Sequence, residues 1–128
     1  MSKVLVVDDS KMIRLILRRI LTESGYEVNE AADGKEALAI VDSGSEGFGV
    51  VFIDWNMPEI NGLELLTELR RRPELSRVTI VMVTTEAELG HMAQALEAGA
   101  NEYIMKPFTR EIVVEKLELL GVLPQVGV

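Results

Sequence analysis

Near-continuous apolar runs punctuate the chain: Val4-Leu5-Val6-Val7, Val50-Val51-Phe52-Ile53, Val78 to Val83 and the shorter Glu102-Tyr103-Ile104-Met105. Runs of this kind, bounded by turn residues, read as strands buried on both faces. Tyr26 to Ala31 alternates enough to be a further short strand, less buried than the others. Between the runs the period changes. From Lys11 to Glu23 the apolar residues Ile13, Ile16, Leu17 and Ile20 recur at helical spacing, with Arg14, Arg18 and Arg19 on the other face and Gly25 as the stop signal. Asp33 to Glu36 has capping-box spacing and opens a helix carrying Ala37, Leu38 and Val41 that ends near Ser43. Asn61 with Glu64 opens the next, with Leu65, Leu66 and Leu69 facing inward and Pro73 ending it. Thr85 with Glu88 repeats the spacing before a helix bearing Leu89, Met92 and Leu96 that stops at Gly99. Thr109 begins the last, with Ile112, Val113, Leu117 and Leu120 turned inward.

Strand and helix thus alternate along the chain. With continuous apolar strands, that pattern predicts an α/β fold: a doubly wound five-stranded parallel sheet with helices on both faces, joined by right-handed crossovers. Periodicity does not give the strand order. A chain of 128 residues is long enough for one domain with its own core. We expect a domain over 1–121 and a short C-terminal tail over 122–128. The segment Gly44 to Gly49 is glycine-rich but lacks the Gly-Lys-Ser/Thr ending of a nucleotide loop, so it reads as a plain connection.

A formal charge of −8 argues against binding to nucleic acid or acidic membranes, and the clusters Arg18-Arg19 and Arg70 to Arg72 fall on predicted helices as solvated faces. With no cysteine there is no disulfide and no thiolate metal site, which fits a reducing compartment. No apolar run has the length of a membrane span, and Lys3 with Asp8-Asp9 interrupts any signal-peptide pattern. A cytoplasmic protein is expected.

The chemistry lies where the predicted strands end. Val50 to Ile53 runs into Asp54 and then a loop, Trp55 to Gly62, while the first strand ends in Asp8-Asp9, the fourth in Thr84 and the fifth in Lys106. In open parallel sheets this carboxyl edge is where ligands bind. Taken alone, Asp54 could simply cap a turn. Three carboxylates together repel unless a cation neutralises them, and an oxygen-only donor set without Cys or His favours Mg2+. The other reading is a structural ion network around Lys106. A metal, a carboxylate, a hydroxyl and an ammonium are the parts of phosphoryl transfer: Asp54 as nucleophile, Lys106 drawing charge from the phosphoryl oxygens and Thr84 hydrogen-bonding one of them. The product would be an acyl phosphate, energetic and hydrolysable, which suits a switch. His91 reads as a solvent-exposed helix residue, since no nucleophile motif accompanies it.

Asp8-Asp9, Asp54 in Asp-Trp-Asn-Met-Pro, Asn61-Gly62, Thr84 and Lys106-Pro107-Phe108 together resemble the receiver domain of two-component response regulators, closest to the CheY-like type that stands alone. The resemblance implies the strand order 2-1-3-4-5. It implies that Asp54 is phosphorylated, that Asp8, Asp9 and Asp54 with the main-chain carbonyl of Asn56 hold Mg2+, and that Lys106 binds the phosphoryl group. Thr84 is implied as the switch hydroxyl, Tyr103 as the aromatic that follows it, and Asn56 and Glu86 as residues that tune dephosphorylation. The Lys106-Pro107 bond resembles one that is cis in the family. Where the family pattern has Asp before the glycine this chain has Asn61, which also caps a helix but leaves the loop less negative. Without the resemblance, Tyr103 would read as a packed aromatic.

The implied function is a phosphorylation-dependent switch that takes its phosphoryl group from a histidine kinase or phosphotransfer protein and presents a downstream target protein with a face built from 86–98, Tyr103 and 109–120. Chemotaxis is one implied pathway. Autophosphorylation and hydrolysis would be its whole enzymatic side. A monomer is expected, with a phosphorylation-linked dimer left open, and action by docking is expected unless the chain is a piece of a longer protein. Two other classes remain. An aspartyl phosphatase of the haloacid dehalogenase type needs an acid two residues after its nucleophile, where Asn56 stands. A flavodoxin-like flavin carrier needs a hydroxyl- and glycine-rich phosphate loop, where Asp8-Asp9 would repel the phosphate.

Overall fold

The computed structural model describes residues 2–43 and 47–124. Five strands, β1 (Lys3–Val7), β2 (Glu27–Ala31), β3 (Phe48–Asp54), β4 (Thr79–Thr84) and β5 (Glu102–Met105), form one parallel sheet in the order β2-β1-β3-β4-β5. That is the expected doubly wound arrangement. The helices are α1 (Lys11–Glu23), α2 (Gly34–Asp42), α3 (Gly62–Arg70), α4 (Met92–Glu97) and α5 (Arg110–Leu119).

Because successive strand side chains point to opposite faces, each apolar run supplies two cores. Leu5, Val7, Val51, Ile53, Ile80 and Met82 meet α2, α3 and α4 on one face through residues such as Ala37, Leu65, Leu66, Leu69 and Met92. Val4, Val6, Val50, Phe52, Val81 and Val83 meet α1 and α5 on the other, through Leu17, Ile20, Leu21, Val113 and Leu117. Each such side chain, fully buried, contributes about 1.5–3 kcal/mol before chain entropy is charged against it. The central strands are therefore rigid, and what they carry at their carboxyl ends is held firmly.

Several boundaries and faces differ from the sequence expectation. Strand β3 starts at Phe48 rather than Val50, because Lys3 of β1 already pairs there across an irregular register. On α1, Ile16 is 40% exposed and Leu21 takes the inward position; on α5, Ile112 is exposed while Val113 and Leu117 carry the packing. The helix expected from Thr85 to Ala98 is split. Glu86–His91 is a 3-10 segment and only Met92–Glu97 is α-helical, with Leu96 exposed. The Glu88 carboxylate accepts from both the Thr85 amide (3.2 Å) and its hydroxyl (2.7 Å), while the Glu88 amide donates to the Thr85 carbonyl. That three-residue closure sets the tighter pitch, and Gly90 resists conversion to α-helix. Beyond α5, Val122 and Leu123 pack on the second core, and the Tyr26 hydroxyl donates to the Val122 carbonyl. Gly44, Ser45 and Glu46 of the glycine-rich connection and 125–128 of the tail lie outside the described residues.

Candidate functional site

Main-chain hydrogen bonds extend the sheet one residue past the ends of its strands. The Asp8 amide donates to the Ala31 carbonyl, the Trp55 amide to Val83 and the Lys106 amide to Thr84. Asp8, Asp54, Thr84 and Lys106 are thereby aligned along the carboxyl edge. Asp8 and Asp54 are 1% and 4% exposed and Thr84 is fully buried, whereas Asp9 is exposed.

Carboxylate oxygens of Asp8, Asp9 and Asp54 all lie within 4.8 Å of one another. The Lys106 ammonium sits between two of these acids, 3.1 Å from Asp54 Oδ1 and 3.1 Å from Asp8 Oδ2. It donates a hydrogen bond to Asp54. At Asp8 Oδ2 it is a charge contact only, and this buried oxygen has no hydrogen-bond partner. Asp8 Oδ1 accepts from the Ser10 amide at 2.8 Å. Burial, then the neighbouring Asp8 charge, pushes the Asp54 carboxyl up to about 7 against the opposing pull of Lys106. Burial works against the Lys106 ammonium too, but Asp54 and Asp8 outweigh it and hold its pKa above the ordinary lysine value.

The ion network foreseen as an alternative is present, yet one ammonium among three carboxylates leaves the edge negative, and Asp8 Oδ2, paired in charge with Lys106, accepts no hydrogen bond. Those are the properties of a site for a hard divalent cation: oxygen donors only, excess negative charge and a buried carboxylate oxygen without a hydrogen bond.

The loop after β3 is locked from below. Asn61 caps α3 in a full capping box with Glu64, and the Gly62 amide donates to the Trp55 carbonyl at 2.8 Å. A Cβ at Gly62 would stand 2.7 Å from the Asp54 carbonyl oxygen and 2.8 Å from the Trp55 Cα. Only glycine lets α3 start so close to the strand end.

The other expected site residues lie on or just after β3, β4 and β5. Asn56 is exposed on the loop after β3, and Glu86 is exposed at the start of the 3-10 segment after β4. The Thr84 hydroxyl donates to the Thr85 carbonyl at 3.2 Å. Tyr103 is half-buried against the first core, and the Lys116 ammonium lies 5.6 Å from its ring centre. The Lys106-Pro107 bond is cis.

Two features escaped the sequence reading. His91 is exposed as expected, but its ring stacks on Trp55 at a centroid distance of 5.4 Å and an interplanar angle of 11°. Arg14, placed on the solvated face of α1, instead donates to the Asp8 carbonyl at 2.6 Å. Nothing in local periodicity marks either contact.

Comparison with known proteins bears on the whole chain. The model of the response regulator receiver domain matches residues 4–118. The chemotaxis protein CheY1 of Helicobacter pylori is 44% identical over 119 residues, covering 92% of this chain and 95% of that protein. A chemotaxis protein CheY homolog of Campylobacter jejuni is 45% identical over 117 residues, covering 91% of this chain and 89% of its own length. The solved structure of the chemotaxis response regulator CheY4 of Vibrio cholerae matches with a TM-score of 0.85 at 37% identity, over 94% of this chain and 98% of that one. A match that runs through every strand of the sheet, at an identity beyond what a shared fold alone requires, means that this chain belongs to the response regulator receiver domain family.

Proposed function

We propose that the protein is a phosphorylation-dependent signalling switch whose acceptor is Asp54. The observation that carries this reading is the Asp54 carboxylate at the end of β3, bonded to Lys106 and grouped with Asp8 and Asp9. An Asp54 oxygen attacks the phosphorus of a phosphohistidine on a histidine kinase or phosphotransfer protein. The new P–O bond forms as the P–N bond breaks, and the donor imidazole leaves with the electron pair and takes up a proton. Lys106 draws charge from the phosphoryl oxygens as it develops. Asp8, Asp9, Asp54 and the Asn56 main-chain carbonyl would hold Mg2+, which when bound would supply the charge neutralisation that the carboxylates need beside a phosphoryl group.

After transfer the Thr84 hydroxyl gives up the Thr85 carbonyl for a phosphoryl oxygen, and Tyr103 moves into the space vacated. The face made by 86–98, Tyr103 and α5 then offers a downstream target a different surface. Asn56 and Glu86, exposed beside the acceptor, control access of the hydrolytic water. The chemotaxis proteins among its relatives make chemotaxis the proposed pathway. The site is reached from water, and among the described residues no helix is long and apolar enough to cross a membrane.

Intact mass after incubation with acetyl phosphate is the test. A gain of one phosphoryl group that requires Mg2+ and disappears in Asp54→Asn is expected. Equal labelling of the variant, or no labelling together with no binding of beryllofluoride by folded protein, would overturn the reading.

A further inference from the structure

Asp8 is the acid most dependent on its main chain. Its Oδ1 accepts from the Ser10 amide two residues on, and its Oδ2 is left toward Lys106 and the acidic cluster. Where that oxygen sits is therefore decided by the backbone of 8–10. The strand has ended at Val7, so the ladder holds this backbone on one side only, through the Asp8 amide and the Ala31 carbonyl at 3.1 Å.

The other side is held by a side chain. Arg14 Nη1 donates to the Asp8 carbonyl at 2.6 Å, and its Nε donates to Glu30 Oε1 at 3.1 Å. The second Glu30 oxygen accepts from Arg18. The Arg14 side chain is only 15% exposed, although it leaves a helix face that otherwise meets solvent. Glu30 lies on β2 immediately before Ala31, so the strand that holds the Asp8 amide also aims the guanidinium at the Asp8 carbonyl. A planar fork with donors at fixed angles suits this two-ended task, whereas a lysine could hold one end at a time. Ion pairs at a helix surface contribute little by themselves. The bond to Asp8 is what makes this pair more than a surface contact.

We propose that Arg14, aimed by Glu30, is a positioning residue that fixes the Asp8 backbone and so presents Asp8 Oδ2 to a divalent cation. Glu30 is shared with Arg18, so the three groups together keep one positive charge, and what the anchor contributes is position rather than charge. The cation rests on the function proposed above; the backbone anchor does not.

Two measurements on wild type, Arg14→Met, Arg14→Lys, Glu30→Gln and Arg14→Met/Glu30→Gln test this. In metal-free protein, exchange of the Ser10 amide by NMR should accelerate at least tenfold in Arg14→Met while the amides of Val4 to Val7 keep their protection. Mg2+ titration followed by Trp55 fluorescence should show about tenfold weaker binding in Arg14→Met, partial recovery in Arg14→Lys, and a double variant no weaker than Arg14→Met alone. A role through charge alone predicts the reverse: tighter binding in Arg14→Met, weaker in Glu30→Gln, and wild-type affinity in the double variant. That pattern, or unchanged Ser10 exchange in Arg14→Met, would overturn the proposal. Failure of the wild type to bind Mg2+ would refute the metal reading instead, leaving Ser10 exchange to decide the anchor. If Arg14→Met fails to fold, Arg14→Lys and Glu30→Gln carry both measurements.

Discussion

Replacing Asp54 by Asn should stabilise the metal-free protein at alkaline pH. The Asp54 carboxyl titrates near 7 in the folded protein against 3.8 for a free aspartate, because it is buried beside Asp8. The folded state therefore holds a proton that the unfolded chain has released across the interval from about pH 4 to about pH 7, and stability falls as pH rises through that interval. Above the folded value the penalty is complete, with a ceiling of about 4 kcal/mol. Asn is nearly isosteric and uncharged. It gives up the hydrogen bond to Lys106, but Lys106 keeps its contact with Asp8 at 3.1 Å, so only part of the gain is returned. A net stabilisation of about 1–3 kcal/mol at pH 8 follows, less than half of it surviving at pH 5. Urea unfolding of both proteins in EDTA at the two pH values measures it. Adding Mg2+ at ten times its dissociation constant should raise the wild type by about 1.4 kcal/mol and the variant by less. An Asp54→Asn protein no more stable than wild type at pH 8, or a difference that does not shrink on acidification, would refute the reasoning.

Gly62→Ala should cost about 3 kcal/mol in urea unfolding, because its Cβ meets backbone at 2.7 and 2.8 Å and neither atom can move without shifting the acceptor loop. Gly90→Ala meets nothing within 4 Å and should be neutral or stabilising by up to about 1 kcal/mol; a large loss there would contradict the open surroundings described. Asn61→Ala removes the side-chain acceptor of the α3 capping box and should cost about 1 kcal/mol, with Asn61→Asp recovering it. His91→Ala exposes one face of Trp55, the only tryptophan, so its emission maximum should move to longer wavelength; an unmoved spectrum would show that the stack does not persist in solution.

The elements of this fold, and the residues that end its strands, were legible because their signals are local. A buried parallel strand is a run of adjacent apolar residues, and the Asn61/Glu64 box is written within four positions. The strand-end acids, Thr84 and Lys106 could be named from the same runs, since a strand that stops must deliver its next residue to the sheet edge. Local reasoning failed where two elements share a residue. Ile16 and Leu21 both suit a helical stripe, and only the seat of α1 on the sheet turned one outward and the other inward. Thr85 promised an α-helix, but the Glu88 amide closed on the Thr85 carbonyl three residues back and began a 3-10 turn.

The sequence by itself determined that acids, a hydroxyl and an ammonium would reach the same edge of a parallel sheet. Only the tertiary structure decided which of them touch: Lys106 bridging Asp54 and Asp8, His91 on Trp55, and Arg14 on the Asp8 carbonyl. Period and capping arise from interactions a few residues apart, within the reach of one helical turn or one strand pair. Asp54 and Lys106 lie 52 positions apart, and their contact depends on β4 lying between their strands and on how closely the helices press on both faces. That is a balance of packing across the whole domain, which no single stretch of the chain encodes.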